Sequence, residues 1–174
     1  MKVKKGKHQF KPYKLKFAWK PKGIAFGVIF DESAMYDLES NDQFDWNKGG
    51  GLSFNLFSNH RKSAMFGWRY NIFENSFELT PYIHNGKQII KGDNLPDSPN
   101  AVFSVSPGDP VNVTITFHKD LIFYYFTSSY QRSTVAIAVN GWKYRFARRI
   151  GGWFGGNRSA PKDLEYKIYQ NEIL

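Results

Sequence analysis

The stretch Val111-Asn112-Val113-Thr114-Ile115-Thr116-Phe117-His118 decides the fold. Apolar and polar residues alternate through it without a break. Successive side chains of a β-strand point to opposite faces, so this strand turns Val111, Val113, Ile115 and Phe117 to a core and Asn112, Thr114, Thr116 and His118 away from it. Pro107-Gly108-Asp109-Pro110 turns the chain before it, and Lys119-Asp120 turns it after. Residues 121–127 and 134–139 read as the next strands, with Tyr124 and Tyr130 expected on the surface.

The same pattern recurs outward from there. Phe26, Val28 and Phe30 are in phase within residues 24–30. Ala64, Phe66, Trp68 and Tyr70 share one face of a strand, and Arg69 and Asn71 share the other. Phe77, Leu79 and Ile83 alternate with Glu78, Thr80, Tyr82 and His84, and Asn85-Gly86 then signals a hairpin into residues 88–91. Residues 8–19 read as an edge strand with one wet face. Residues 52–57, 101–105, 142–147 and 164–169 complete about ten to twelve short strands. Residues 31–45 suit a loop or a short helical turn, residues 92–100 a loop, and Asn47-Lys48-Gly49-Gly50-Gly51 a loop or a tight entry into a strand. No long helix is expected. The pattern predicts an all-β sandwich or barrel.

Charge is unevenly spread. The 174 residues carry a net charge of +9, but residues 1–22 hold Lys2, Lys4, Lys5, Lys7, Lys11, Lys14, Lys16, Lys20 and Lys22 and no acid. The remaining chain is close to neutral. The expected organisation is therefore a Lys-rich arm over residues 1–22 and a sandwich over residues 23–174. An aromatic share of 18% suits strands. The absence of cysteine excludes disulfides, thiolate nucleophiles and thiolate metal sites. The N-terminal lysines precede no apolar segment, so a secretory leader is not expected, and no apolar run is long enough for a membrane-spanning helix.

Three blocks carry a resemblance: Trp46-Asn47-Lys48-Gly49-Gly50-Gly51-Leu52, Phe66-Gly67-Trp68-Arg69-Tyr70, and Trp153-Phe154-Gly155-Gly156-Asn157 with Ala160-Pro161-Lys162-Asp163-Leu164. Together they resemble jelly-roll proteins of Bacteroidetes bacteria and their phages, which are similar to legume-lectin-like sandwiches. The likeness spans about residues 44 to 170. It implies a two-sheet antiparallel β-sandwich, a concanavalin A-like jelly roll, and no particular reaction.

Candidate chemistry is sparse. Glycan hydrolysis needs two carboxylates within about 5 to 9.5 Å, and no strand offers a Glu-x-Asp or Glu-x-Glu pair. His60, Arg69, Tyr82 and His84 are the residue types a polysaccharide lyase would use. The histidines at 8, 60, 84 and 118 lack ligand spacing, so no metal site is expected; Asp93, Asp97 and Asp163 suit turns better than calcium. Gly151-Gly152, Gly155-Gly156 and Gly49-Gly50-Gly51 lack the setting of a phosphate-binding loop. No cofactor is expected. Aromatic rings with nearby polar groups suit sugars, and Arg69, Tyr82, Trp142, Trp153 and Asn157 are the candidates. Lys2, Lys4, Lys5, Lys7, Lys11, Lys14 and Lys16, with Lys143, Arg145, Arg148 and Arg149, are candidates for an acidic protein partner or unspecific nucleic acid.

These readings lead to a noncatalytic structural or interaction protein. The resemblance adds a phage virion component in a homo- or hetero-oligomeric assembly, or else a cytoplasmic protein. A carbohydrate-binding or lectin-like domain is the alternative, and a polysaccharide lyase or hydrolase the third.

Overall fold

The computed structural model describes residues 1–12, 14–58, 60–95, 101–155 and 157–174, with all their side chains but that of Asp93. They form an all-β sandwich whose strands pair antiparallel throughout. The strands are β1 (Lys2–Val3), β2 (Phe17–Trp19), β3 (Gly23–Ile29), β4 (Asn47–Ser53), β5 (Lys62–Asn71), β6 (Ser76–Asn85) and β7 (Gln88–Lys91). There follow β8 (Phe103–Val105), β9 (Pro110–His118), β10 (Leu121–Thr127), β11 (Arg132–Ala138), β12 (Phe146–Ile150), β13 (Leu164–Glu165) and β14 (Lys167–Ile173). One sheet has five strands in the order β11-β10-β9-β3-β14, the other seven in the order β2-β12-β4-β5-β6-β7 with β8 on β6.

The alternation read in residues 111–118 is realised in β9. Val111, Val113, Ile115 and Phe117 are buried beside Ile122, Tyr124 and Phe126 of β10. Ala64, Phe66, Trp68, Phe77, Leu79 and Ile83 of the facing sheet close the core. Tyr124 is thus a correction: the phase of β10 carries it inward, where it is fully buried, while Tyr130 is 85% exposed as expected.

Of the two readings of residues 47–51, loop or strand entry, the strand is realised: they open β4, with a bulge between Lys48 and Gly50. Glycine normally weakens a strand, but here the neighbours fill the space it leaves. A Cβ on Gly49 would stand 1.9 Å from the Phe66 ring, and one on Gly51 would stand 2.0 Å from the Ala64 carbonyl oxygen. The strand expected over residues 52–57 ends at Ser53, and the one expected over residues 142–147 begins at Phe146. The short helical turns in residues 31–45 are Glu32–Ala34 and Asn41–Phe44.

Residues 1–22 are part of this fold, not an arm beside it. Val3 and Phe10 are fully buried, β1 pairs with β13, and β2 pairs with β12 along the edge of the large sheet. The apolar positions between the lysines explain this: the chain can bury Val3 and Phe10 while Lys2, Lys4 and Lys11 stay in water. Only residues 17–19 of the expected edge strand pair regularly. The Phe10 ring packs against Trp68 at 6.1 Å and Tyr166 at 5.0 Å. Truncating Phe10→Ala is expected to lower stability by about 3–5 kcal/mol, read from the midpoint of urea unfolding. A loss under about 1 kcal/mol would mean that this segment is not fixed in the core.

Candidate functional site

The outer face of the seven-stranded sheet carries the site. Because Phe66 and Trp68 face the core, Met65, Gly67 and Arg69 face away from it. On β6 the same rule turns Glu78, Thr80, Tyr82 and His84 outward, and the ladder sets Met65 opposite Tyr82 and Arg69 opposite Glu78. Gly51 of β4 lies between Met65 and Ile150 of β12. Trp46, Met65, Tyr82 and Ile150 therefore form a second apolar cluster, separate from the core and itself buried.

Basic groups cover this cluster. The Lys48 ammonium sits 5.5 Å above the Tyr82 ring, and the Arg69 guanidinium 4.2 Å above Trp46. Burial lowers the Lys48 pKa, and Lys91 adds to the effect.

Beside the cluster opens a cleft of about 510 Å³. Its floor is Met65, Ile150 and His84; Lys48, His60 and Arg148 surround it, with Gln9 and Trp153 at one wall. That wall is built by main-chain pairing. Trp153 N–H donates to Lys48 O and Lys48 N–H to Trp153 O, both at 2.8 Å, and Gln9 bridges Trp153 from the other side. The Trp153 ring stacks on His8 at 5.1 Å and is 41% exposed. His8 Nδ1 stands 2.9 Å from Phe154 O, a partner to which it can only donate. Buried Asn47 secures the next turn, its Oδ1 accepting from Gly155 N–H at 2.6 Å while its Nδ2 donates to Tyr36 Oη at 2.9 Å.

His84 is 3% exposed, and its Nε2 has no hydrogen-bond partner. Its ring packs against His60 at 5.0 Å and Tyr82 at 5.5 Å. Burial, then Lys48, then His60 push its pKa down to about 4.

The five glycan candidates part company. Trp153 lines the cleft, and Tyr82 lies under Lys48. Arg69 is held elsewhere, by Glu78 Oε2 at 2.6 Å and the Phe44 carbonyl at 2.9 Å. Trp142 is buried and donates to Asn85 Oδ1 at 2.9 Å, and Asn157 is exposed outside the cleft. Of the lyase-like set the cleft is lined by His60 and His84, while Tyr82 lies under Lys48 and Arg69 is drawn to Glu78 opposite it on β6.

Lys48 and Gln9 carry no sequence signal of their own; Tyr82 and His84 share an outward phase that the alternation of β6 already shows. Among the basic candidates, Lys2 and Lys4 pair with Asp163 at 3.4 and 3.8 Å. Lys5, Lys7, Lys11, Lys14, Lys16, Lys143 and Arg145 are exposed, whereas Arg148 and Arg149 are half-buried. Arg148 Nε also donates to Asn55 O at 3.2 Å. Of the aspartates weighed for calcium, Asp163 accepts from Lys5 N–H, and Asp97 and the Asp93 side chain lie outside the described residues.

Among the described residues no three His, Asp or Glu side chains are grouped to hold a metal ion, and no Asp or Glu lines the cleft. No family model matches the chain, and no curated protein matches it. Among solved structures it is similar to CG-16, a homodimeric agglutinin from chicken liver, at 9% identity and a TM-score of 0.38, over 91% of this chain and 98% of that one. It is similar to chicken Galectin 2 at 11% identity and a TM-score of 0.37, over 86% and 92%.

The pH response of His84 checks the geometry. The unfolded chain takes up this proton near pH 6.5, the folded chain only near 4. Between those values the unfolded state binds more protons, so stability present above the window drains as pH falls through it. His84→Gln is expected to lose less stability than the native chain from neutral pH to about pH 5, read from urea midpoints. Equal losses would place His84 in water.

Proposed function

We propose that the protein binds a saccharide in the cleft between Trp153 and His84 and does not cleave it. The observation that carries this is the Trp153 ring, partly exposed and fixed by His8, standing over a cleft with Gln9, Lys48 and Arg148 around it. A flat apolar ring receives the C–H face of a sugar, and a few convergent polar groups fix its hydroxyls. The missing carboxylate pair argues against hydrolysis. A glycan array is the test. Trp153→Ala is expected to lose at least tenfold in affinity, about 1.4 kcal/mol, with its melting temperature unchanged. A native protein that binds no glycan overturns the reading.

A second reading has its own observation. Along the edge where β2 pairs with β12, Lys14, Lys16, Lys20 and Arg145 are exposed beside Trp19, which is 70% exposed. Lysines on an edge strand discourage pairing with another copy and suit an acidic partner. A virion is the setting that the resemblance of residues 44 to 170 implies for such docking. Retention on a polyglutamate resin is expected to fall with salt and to be lost in the double variant Lys16→Glu, Lys20→Glu. Absence of retention at low salt counts against this reading.

A further inference from the structure

The cleft has a charge as well as a shape, and the charge is of one sign. Lys48, His60 and Arg148 border it, and no acid does among the described residues. The acids of the same sheet face are spent or lie apart. Glu78 accepts from Arg69 Nε at 2.6 Å and from Asn71 Nδ2 at 2.9 Å, six residues along β6 from His84, or about 20 Å. Asp45 acts on the Tyr82 hydroxyl from the residue before Trp46.

Lys48 is the telling group. It is half-buried, its ammonium lies over the Tyr82 ring, and it makes no ion pair among the described residues. A cation withdrawn from water without a counter-charge is costly to keep. Half-buried Lys62, Arg69 and Arg148, by contrast, each have a carbonyl or carboxylate partner. His84 lines the same cleft, and its buried Nε2 has no hydrogen-bond partner. Two polar groups on one cleft wall thus lack what a single ligand could supply: a negative charge for Lys48 and a hydrogen bond for His84.

Resting on the saccharide reading, we propose that the cleft selects sugars bearing an anionic group, a carboxylate or a sulfate, which Lys48 neutralises while the sugar ring lies on Trp153. Arg148 adds to the same field, and His84 takes up a hydroxyl or the acid's own oxygen. Nearby lysines of residues 1–22 are in water and screened beyond about 8 Å at physiological salt, so they add attraction at long range but little selectivity.

The experiment is a glycan array whose members come as matched neutral, uronate and O-sulfated forms, read at physiological salt with the native chain, Lys48→Met, Lys48→Arg and Lys14→Met. Met keeps the unbranched stem over Tyr82, and Arg keeps the charge should the Met variant fail to fold. Acidic members are expected to bind at least tenfold tighter than their neutral counterparts. That preference should vanish in Lys48→Met and persist in Lys48→Arg and Lys14→Met; the uronate and sulfate arms then say which acid is read. Neutral forms bound as tightly as acidic ones overturn the selectivity and leave saccharide binding standing. A preference that survives Lys48→Met but falls in Lys14→Met overturns it as mere surface charge. If no member binds, both proposals fall.

Discussion

Trp68 sits where five parts of the chain meet. Its ring packs 4.9 Å from Phe30, 5.6 Å from Tyr166 and 6.1 Å from Phe10 and from Tyr36, with Phe77 at 6.2 Å. Its indole N–H is buried without a hydrogen-bond partner, so Trp68 itself is held by packing. Rings meeting at such distances and angles are worth roughly 0.5–1.5 kcal/mol a pair beyond the area they bury. The cleft depends on this cluster. Phe10 is in it, so Gln9 and His8 must lie where they do, against Trp153 and Phe154. Tyr166 is in it, and its hydroxyl donates to Gly49 O at 3.0 Å, beside Lys48. Tyr36 is in it, and its hydroxyl accepts from the Asn47 that holds the turn after Trp153. The wall of the cleft is thus an outer consequence of aromatic packing in the core.

This dependence explains what could and could not be read from residues alone. Alternation is a local signal, and β3, β5, β6, β9 and β10 lie close to where it put them. It also separates Tyr82 and His84 from Leu79 and Ile83. The glycines of β4 mislead because their reason is across the ladder: Phe66 and Ala64 occupy the volume a side chain would take. Trp142 and Trp153 look alike as sequence, yet one is walled in by Phe54 and Tyr144 and the other stands at the cleft mouth. Tertiary neighbours make that difference, and nothing near either residue announces them. The lysines of residues 1–22 mislead in the same way. Their number suggests a tail in water, while Val3 and Phe10, two apolar side chains among them, decide where the backbone goes.

The outward cluster of Trp46, Met65, Tyr82 and Ile150 explains why cations lie on this face of the sheet. A sheet face exposed to water usually carries polar residues, and four buried apolar ones there need a cover. The cover is cationic: Arg69 on Trp46 and Lys48 on Tyr82. Stacking over an aromatic face fixes the direction of a long flexible side chain that would otherwise lose rotamer freedom on binding. Arg69 is then neutralised by Glu78, and its work is structural. Lys48 is placed over the Tyr82 ring and makes no ion pair among the described residues. Two cations that look equivalent in sequence differ because an acid stands across the ladder from one of them and glycine stands across from the other, Lys48 pairing with Gly67. The consequence is a half-buried positive group at the edge of a cleft, directed by an aromatic ring and not by an acid, and a side chain directed in advance loses less freedom when it meets an opposite charge.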